Sequence, residues 1–247
     1  MAHWRIFELW YGPLTIGHGI SIQGHGFAAI IQTSGSDAAI TINSAIGNDI
    51  SLNGLLIDGA GSGLSGIQVN SAGGVQILNC VIRHFTNAGI SFTPADGPSS
   101  LLVSDTAASY NGIAGQGTGI NINPVNAAST NATLNRITAN NNQYGVAVAL
   151  SASVMIANNV MSNNGKSGLS MESGGTAWLG TSAISNNGIG VWVNGGGTVN
   201  SYGNNQINGN TTDVSGSLTR VSPQWLSATS TTRSERARRQ RARRASH

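Results

Sequence analysis

The sequence predicts an all-β chain wound as a parallel β-helix, a solenoid of about nine coils. Three observations predict it. A small residue followed by apolar residues at alternate positions recurs along the chain, most often at intervals of 22–23 residues. No stretch between Gly19 and Gly216 carries a 3.6-residue apolar period over three turns. The composition is that of strands and turns rather than of helices, with 34 Gly in 247 residues and only 9% charged side chains.

The repeat starts at Gly19 (GISI), Ala39 (AITI), Gly66 (GIQV), Gly89 (GISF), Gly119 (GINI), Gly145 (GVAV), Gly168 (GLSM), Gly190 (GVWV) and, in degenerate form, Asp213 (DVSG). Alternation with period two is the mark of a strand with one buried face. A second strand-like segment precedes the glycine in most units, as in Val75–Leu78, Ser153–Ile156, Ala177–Leu179 and Thr198–Asn200. Two or three short strands in 22–23 residues fit one turn of a β-helix, whereas a propeller blade needs roughly 40–45 residues. The longest interval holds the turn-rich stretch Thr93–Ser100, an insertion between coils.

The pattern assigns an inward stack: Ile67, Ile90, Ile120, Val146, Leu169 and Val191, each over its counterpart one coil away at about 4.8 Å. Asn87, Asn111, Asn140, Asn163, Asn186 and Asn208 recur shortly before the strand glycines. They are expected to stack as an amide ladder, because amides pair with one another where like charges repel. The glycine at strand entry is expected to permit a sharp corner.

Composition also excludes classes. Hydrophobic residues make up 39% of the chain, too many for a disordered protein. Gly has no period of three, so collagen is excluded. No apolar run reaches about 18 residues, so no membrane-spanning helix is expected. Cys80 is the single cysteine and makes no intrachain disulfide. Residues 1–232 carry five basic and eight acidic side chains, while residues 233–247 carry seven Arg against Glu235. The basic balance is therefore a property of the tail, and nucleic acid is expected as a partner only through that segment.

Three regions follow. Residues 1–12 are an N-terminal cap or a non-native start, with Trp4, Phe7 and Tyr11 at cap-helix spacing; they show no apolar run of secretory-signal type. Residues 13–219 form the β-helix. Residues 220–247 form a disordered Arg-rich tail.

The runs VQILNCVIRHFTNAGISF, VMIANNVMSNNGKSGLSM and AWLGTSAISNNGIGVWV resemble the right-handed parallel β-helix repeats of bacterial pectin-lyase-like proteins. The resemblance covers roughly Leu14–Thr219. It implies a right-handed solenoid and a secreted, periplasmic or cell-surface setting. It leaves activity open, because that fold hosts lyases, hydrolases and non-catalytic surface proteins.

His18 and His25 each sit in a Gly-His-Gly segment of the kind polygalacturonases carry. The Asp pair and the basic segment that flank it in those enzymes have no match here, so both histidines are read as turn residues. The acids Asp37, Asp49, Asp58, Asp96, Asp105, Glu172 and Asp213 are scattered, and calcium wants about six to eight oxygens. Arg83-His84, with Asp96 or Asp105, is the densest ionisable group; it is read as a solvated loop, although such a pair can deprotonate an acidic sugar. Cys80 is read as a packing residue.

No catalytic residue, metal ligand or cofactor site is assigned. The outward face of the GIxV strands is polar and neutral, with Trp192 its one aromatic residue. Trp192, Glu172, Asn194 and Ser170 are assigned as a carbohydrate-binding patch, with the ring stacking on a sugar and the polar groups meeting its hydroxyls. The chain is thus read as a non-catalytic, monomeric protein that binds polysaccharide or cell-surface glycan or serves a structural role. The alternative is a polysaccharide lyase or glycoside hydrolase.

Overall fold

A computed structural model describes residues 10–222 apart from Ile113, Ala114, Gln116 and Ala127. Most of the expected cap and most of the expected tail, residues 1–9 and 223–247, lie outside the described residues; of the parts described, Trp10–Tyr11 and Leu218–Arg220 are strands. Every regular element among the described residues is a β-strand. Sheet 1 stacks nine strands in coil order, from Leu14–Ile16 to Thr212–Ser215, which bound eight complete turns. Sheet 2 stacks ten, from Trp10–Tyr11 to Leu218–Arg220. A narrower third ladder runs through strands such as Val81–Arg83, Ala107–Ser109 and Val160–Ser162. Pairing is parallel in each sheet, so the chain is a parallel β-helix.

The inward stack forms in the register the sequence dictates. Ile67, Ile90, Ile120, Val146, Leu169 and Val191 pair coil to coil and are fully buried. Sheet 2 answers with Leu52, Ile77, Val103, Leu134, Ile156 and Leu179. Ile82, Ala108, Met161 and Ile184 close the third side. Burying each large aliphatic residue stabilises the coil by about 1.5–3 kcal/mol before entropy is counted.

Three sequence readings of the coil are corrected. The first concerns Gly19: the GISI segment begins the Ile20–Ile31 strand of sheet 2, with Ile20 opposite Ile50. The first strand of sheet 1 is Leu14–Ile16, with Leu14 opposite Ile40. Alternation alone does not say which wall of a coil a strand belongs to.

The second concerns the ladder. The stacked amides are Asn111, Asn142, Asn164, Asn187 and Asn210. Each Nδ2 donates to the next Oδ1, at 3.2, 3.3, 2.9 and 2.9 Å in order. Each of these Oδ1 atoms also accepts the backbone N–H of the coil before it, as Asn164 Oδ1 does from Asn142 at 3.0 Å. The predicted Asn163 and Asn186 are the residues just before the ladder, with φ of 55° and 56°. Asn141, at φ 57°, and Tyr110, at φ 59°, fill the same corner position. The pair Asn-Asn thus divides the work: the first turns the chain through the left-handed region and the second satisfies buried backbone.

The third concerns the strand glycines. Gly66, Gly89, Gly119, Gly145, Gly168 and Gly190 do not adopt positive φ. They are small because the next coil passes close. A Cβ on Gly145 would lie 2.5 Å from Gly168 O and 2.9 Å from Asn164 Nδ2. Glycine and ladder asparagine are therefore one packing unit.

Candidate functional site

Because side chains alternate across a strand, one outward residue per coil forms a row across sheet 1. The row runs Thr41, Gln68, Ser91, Asn121, Ala147, Ser170, Trp192, in consecutive register. Its two ends differ. Gln68 Nε2 donates to Thr93 Oγ1 at 2.8 Å and Asn70 Oδ1 at 3.0 Å, and Asn70 Nδ2 donates to Asn43 Oδ1 at 2.8 Å. That end binds itself.

At the other end Ala147 and Ala149 leave a flat floor, and two aromatic rings stand beside it. The Trp192 and Tyr144 rings are nearly parallel, at 11°, with centroids 6.5 Å apart. Tyr144 lies two strands from Trp192, with Ser167–Met171 between them. Trp192 pairs with Ser170 in register, and Ser170 is completely buried. Lys166 Nζ sits 5.2 Å from the centroid of the Tyr144 ring, in cation–π range.

The four predicted residues divide. Trp192 and Glu172 are half-buried and Asn194 is exposed. Asn194 Oδ1 accepts the Gly195 N–H at 2.8 Å. Ser170 is fully buried, and its Oγ donates to Glu172 Oε1 at 3.0 Å. It therefore orients Glu172 rather than meeting a ligand, which corrects its assignment as a contact residue. Tyr144 beside Trp192, and Lys166 over the Tyr144 ring, are not among the four. The signal was present: Tyr144 precedes Gly145, where the other coils carry Ala38, Ser65, Ala88, Thr118, Ser167 and Ile189, so it is the one aromatic of its column.

Arg83 and His84 do form an ionisable group, but with Asp58 instead of Asp96 or Asp105. Arg83 Nε donates to Asp58 Oδ2 at 2.8 Å, and His84 Nδ1 lies 3.1 Å from Asp58 Oδ1. Burial pushes the Asp58 carboxyl up, but the Ala60 N–H, Arg83 and His84 outweigh it and hold it below its ordinary value. The coil stacking that makes this contact joins residues 25 and 26 apart, which sequence spacing hides. His84, Tyr110, Asn141 and Gln143 line a corner cleft of about 310 Å³. Asp105 pairs with Arg136 at 2.6 Å, and Arg136 and Ser104 bring its carboxyl down to about 2.

Metal donors are dispersed. Among the described residues no three His, Cys, Asp or Glu side chains converge. His18 lies exposed in a bend, as read from sequence, whereas His25 falls within the Ile20–Ile31 strand and not in a turn. Burial pushes the Cys80 thiol up, and Met161 and Met171 belong to the core.

Fold and surface together define a parallel β-helix protein that offers a flat, weakly charged face with an aromatic rim. Within that class the chain belongs to the NosD family, described as periplasmic copper-binding protein (NosD), whose match spans residues 9–236. No curated protein and no solved structure matches the chain. No helix among the described residues is long and apolar enough to cross a membrane.

Proposed function

We propose that this chain is a glycan-binding member of the NosD family, working in the periplasm and holding sugar on the Trp192 end of sheet 1. The observation that carries the reading is the near-parallel Tyr144–Trp192 pair beside the Ala147–Ala149 floor. Sugar rings present an apolar face that stacks on aromatic rings, while their hydroxyls take hydrogen bonds at the edge. Glu172 and Asn194 are the rim groups placed to accept them. The indole is half-buried against its own sheet, so stacking costs little further side-chain ordering.

Copper, which the family description names, calls for converging imidazole, thiolate or thioether donors. The described residues do not fit it: His84 is engaged with Asp58, the Cys80 thiol is buried, and no three donors meet. The periplasmic setting is taken from the family description, and the glycan from the face itself.

The test is a tryptophan-fluorescence titration with neutral oligosaccharides, comparing the native protein with Trp192→Ala and Tyr144→Ala. A saturable change that both variants weaken supports the reading. Identical responses in all three proteins would overturn it.

A further inference from the structure

We infer that sheet 2 carries a second glycan track, and that one protein thereby bridges two polysaccharide chains. The inference rests on the glycan reading of sheet 1 for the class of ligand. It stands on separate residues.

Two outward rows run side by side across sheet 2. One is Gln76, Leu102, Thr133, Met155, Trp178, Asn200, in consecutive register. The other is Asp49, Gly74, Ser100, Asn131, Ser153, Thr176. The first row is apolar at Leu102, Met155 and Trp178, with Met155 36% exposed. The second is made of hydroxyls and amides apart from Asp49 and Gly74. A row carrying Leu102, Met155 and Trp178 among polar residues, beside a hydroxyl and amide row, offers a sugar chain lying along the coil axis ring faces on one side and hydroxyl partners on the other.

The track has a built recess at one end. A groove of about 520 Å³ is lined by Asp49, Gly74, Gln76, Ser100, Leu102 and Asn131, among others. Gly74 keeps it open. A Cβ there would lie 2.5 Å from Asp49 Oδ1 and 3.2 Å from Ser100 Oγ, so any side chain would fill the space between them. Repeating contacts one coil apart suit a ligand that repeats at a similar step, and strand spacing sets that step at about 4.8 Å. The ligand is neutral. Neither row holds a Lys or Arg to neutralise an acidic sugar, and Asp49 stands at the recess to repel one. A flat, ribbon-like β-1,4-linked glucan or xylan fits a flat sheet. Sheets 1 and 2 are different walls of the coil, so two chains bind without competing.

The experiment is calorimetric titration with cellohexaose and xylohexaose, paired with light scattering on mixing with soluble xylan. The native protein is expected to bind two oligosaccharides per chain and to raise scattering. Trp178→Ala and Gly74→Leu should each remove or weaken one site by about tenfold, the loss of a stacked ring or of the recess, and return scattering to baseline. Trp192→Ala should do the same to the other site. Circular dichroism melting checks that each variant stays folded. Trp178 faces outward, so Trp178→Ala carries the test if Gly74→Leu unfolds. A single site abolished by Trp192→Ala and untouched by Trp178→Ala would overturn the sheet 2 track and leave the sheet 1 reading standing. A single site with the opposite response would overturn the sheet 1 reading. Two sites with no rise in scattering would overturn bridging. No binding of either probe would overturn both tracks.

Discussion

The amide ladder makes the strongest quantitative prediction, because two adjacent asparagines are assigned different work. Asn164 is 1% exposed and makes four side-chain hydrogen bonds. Its Nδ2 donates to Ala139 O at 3.0 Å and to Asn187 Oδ1 at 2.9 Å. Its Oδ1 accepts from the Asn142 backbone N–H at 3.0 Å and from Asn142 Nδ2 at 3.3 Å. Replacing it with Ala leaves the Asn142 N–H and the Ala139 carbonyl without these partners, deep between coils. Each buried orphan costs about 1–3 kcal/mol, so Asn164→Ala should destabilise by about 2–5 kcal/mol. For a chain of this size that lowers the thermal midpoint by roughly 5–15 °C. Asn164→Asp should be worse at neutral pH, since the carboxylate then faces two acceptors in place of two donors. Asn163, one residue earlier, is exposed and serves by its φ of 55°. Asn163→Ala should cost only about 1 kcal/mol, and Asn163→Gly less. The assay is far-UV circular dichroism melting of the four variants at one protein concentration. If Asn163→Ala is as damaging as Asn164→Ala, or Asn164→Ala melts within 2 °C of the native protein, the ladder assignment is wrong.

Other predictions follow from the same contacts. Gly145→Ala sets a Cβ 2.5 Å from Gly168 O and should cost at least about 1–3 kcal/mol, whereas Gly47→Ala meets nothing within 4 Å and should be neutral or slightly stabilising; paired melts decide. The Asp105 carboxyl, brought down by Arg136 and Ser104, should titrate by carbon-detected NMR with a midpoint about 2, and Arg136→Gln should raise it. Its folded value lies below the unfolded one of about 3.9, so its support is present above that pH and is lost as pH falls toward the folded value. The exposed setting and salt screening keep this effect small. Deleting residues 233–247, with seven of the chain's Arg, should leave the melting midpoint unchanged and abolish salt-sensitive DNA binding in an electrophoretic shift assay. A truncated protein that still shifts DNA would place a basic site in the body.

The fold was legible because its determinants are local and periodic. GIxV alternation sets the inward stack, and Ile120, Val146 and Leu169 pair in the register it implies. What periodicity does not carry is the phase between neighbouring walls. GISI at Gly19 has the right pattern and belongs to sheet 2, because the two sheets alternate with the same period. The ladder slipped by one or two residues in four of its coils for a related reason. Asn163 and Asn164 are the same residue type, and what separates them, the left-handed φ of the first and the burial of the second, is not written in the residue type. The surface was less legible still. Trp192 stands out in its row, but its partner Tyr144 lies two coils earlier in another column, and the partner of Arg83 and His84 is Asp58 a coil away. Contacts across coils depend on loop lengths that differ from unit to unit.

The ladder also leaves the coil interior fully engaged in structure, so a binding role falls to the outside of the coil. Amides that donate to the next coil and accept from the previous one need no counter-charge, so the interior repeats without electrostatic cost. Such a chain of donors must end on an acceptor. It does: Asn210 Nδ2 and its backbone N–H both donate to Asp213 Oδ1, at 3.0 and 3.1 Å. At the other end the Asn111 Oδ1 accepts from the Phe85 N–H, and Phe85 fills the next position with a fully buried ring. The ladder is thereby closed at both ends by residue types that break the repeat for structural reasons. Outward positions have no such constraint, and their departures are of another kind. Tyr144 and Trp192 on one wall, and Met155 and Trp178 on another, stand out among the mostly small or polar residues of their rows. Exposed departures from a repeat that the fold does not require are where a binding role is written. Among the described residues such departures also occur on the third ladder, at Val81 and Val160, but the aromatic ones at Tyr144 and Trp192 on one wall and Trp178 on another are separated as the proposed two-chain binding requires.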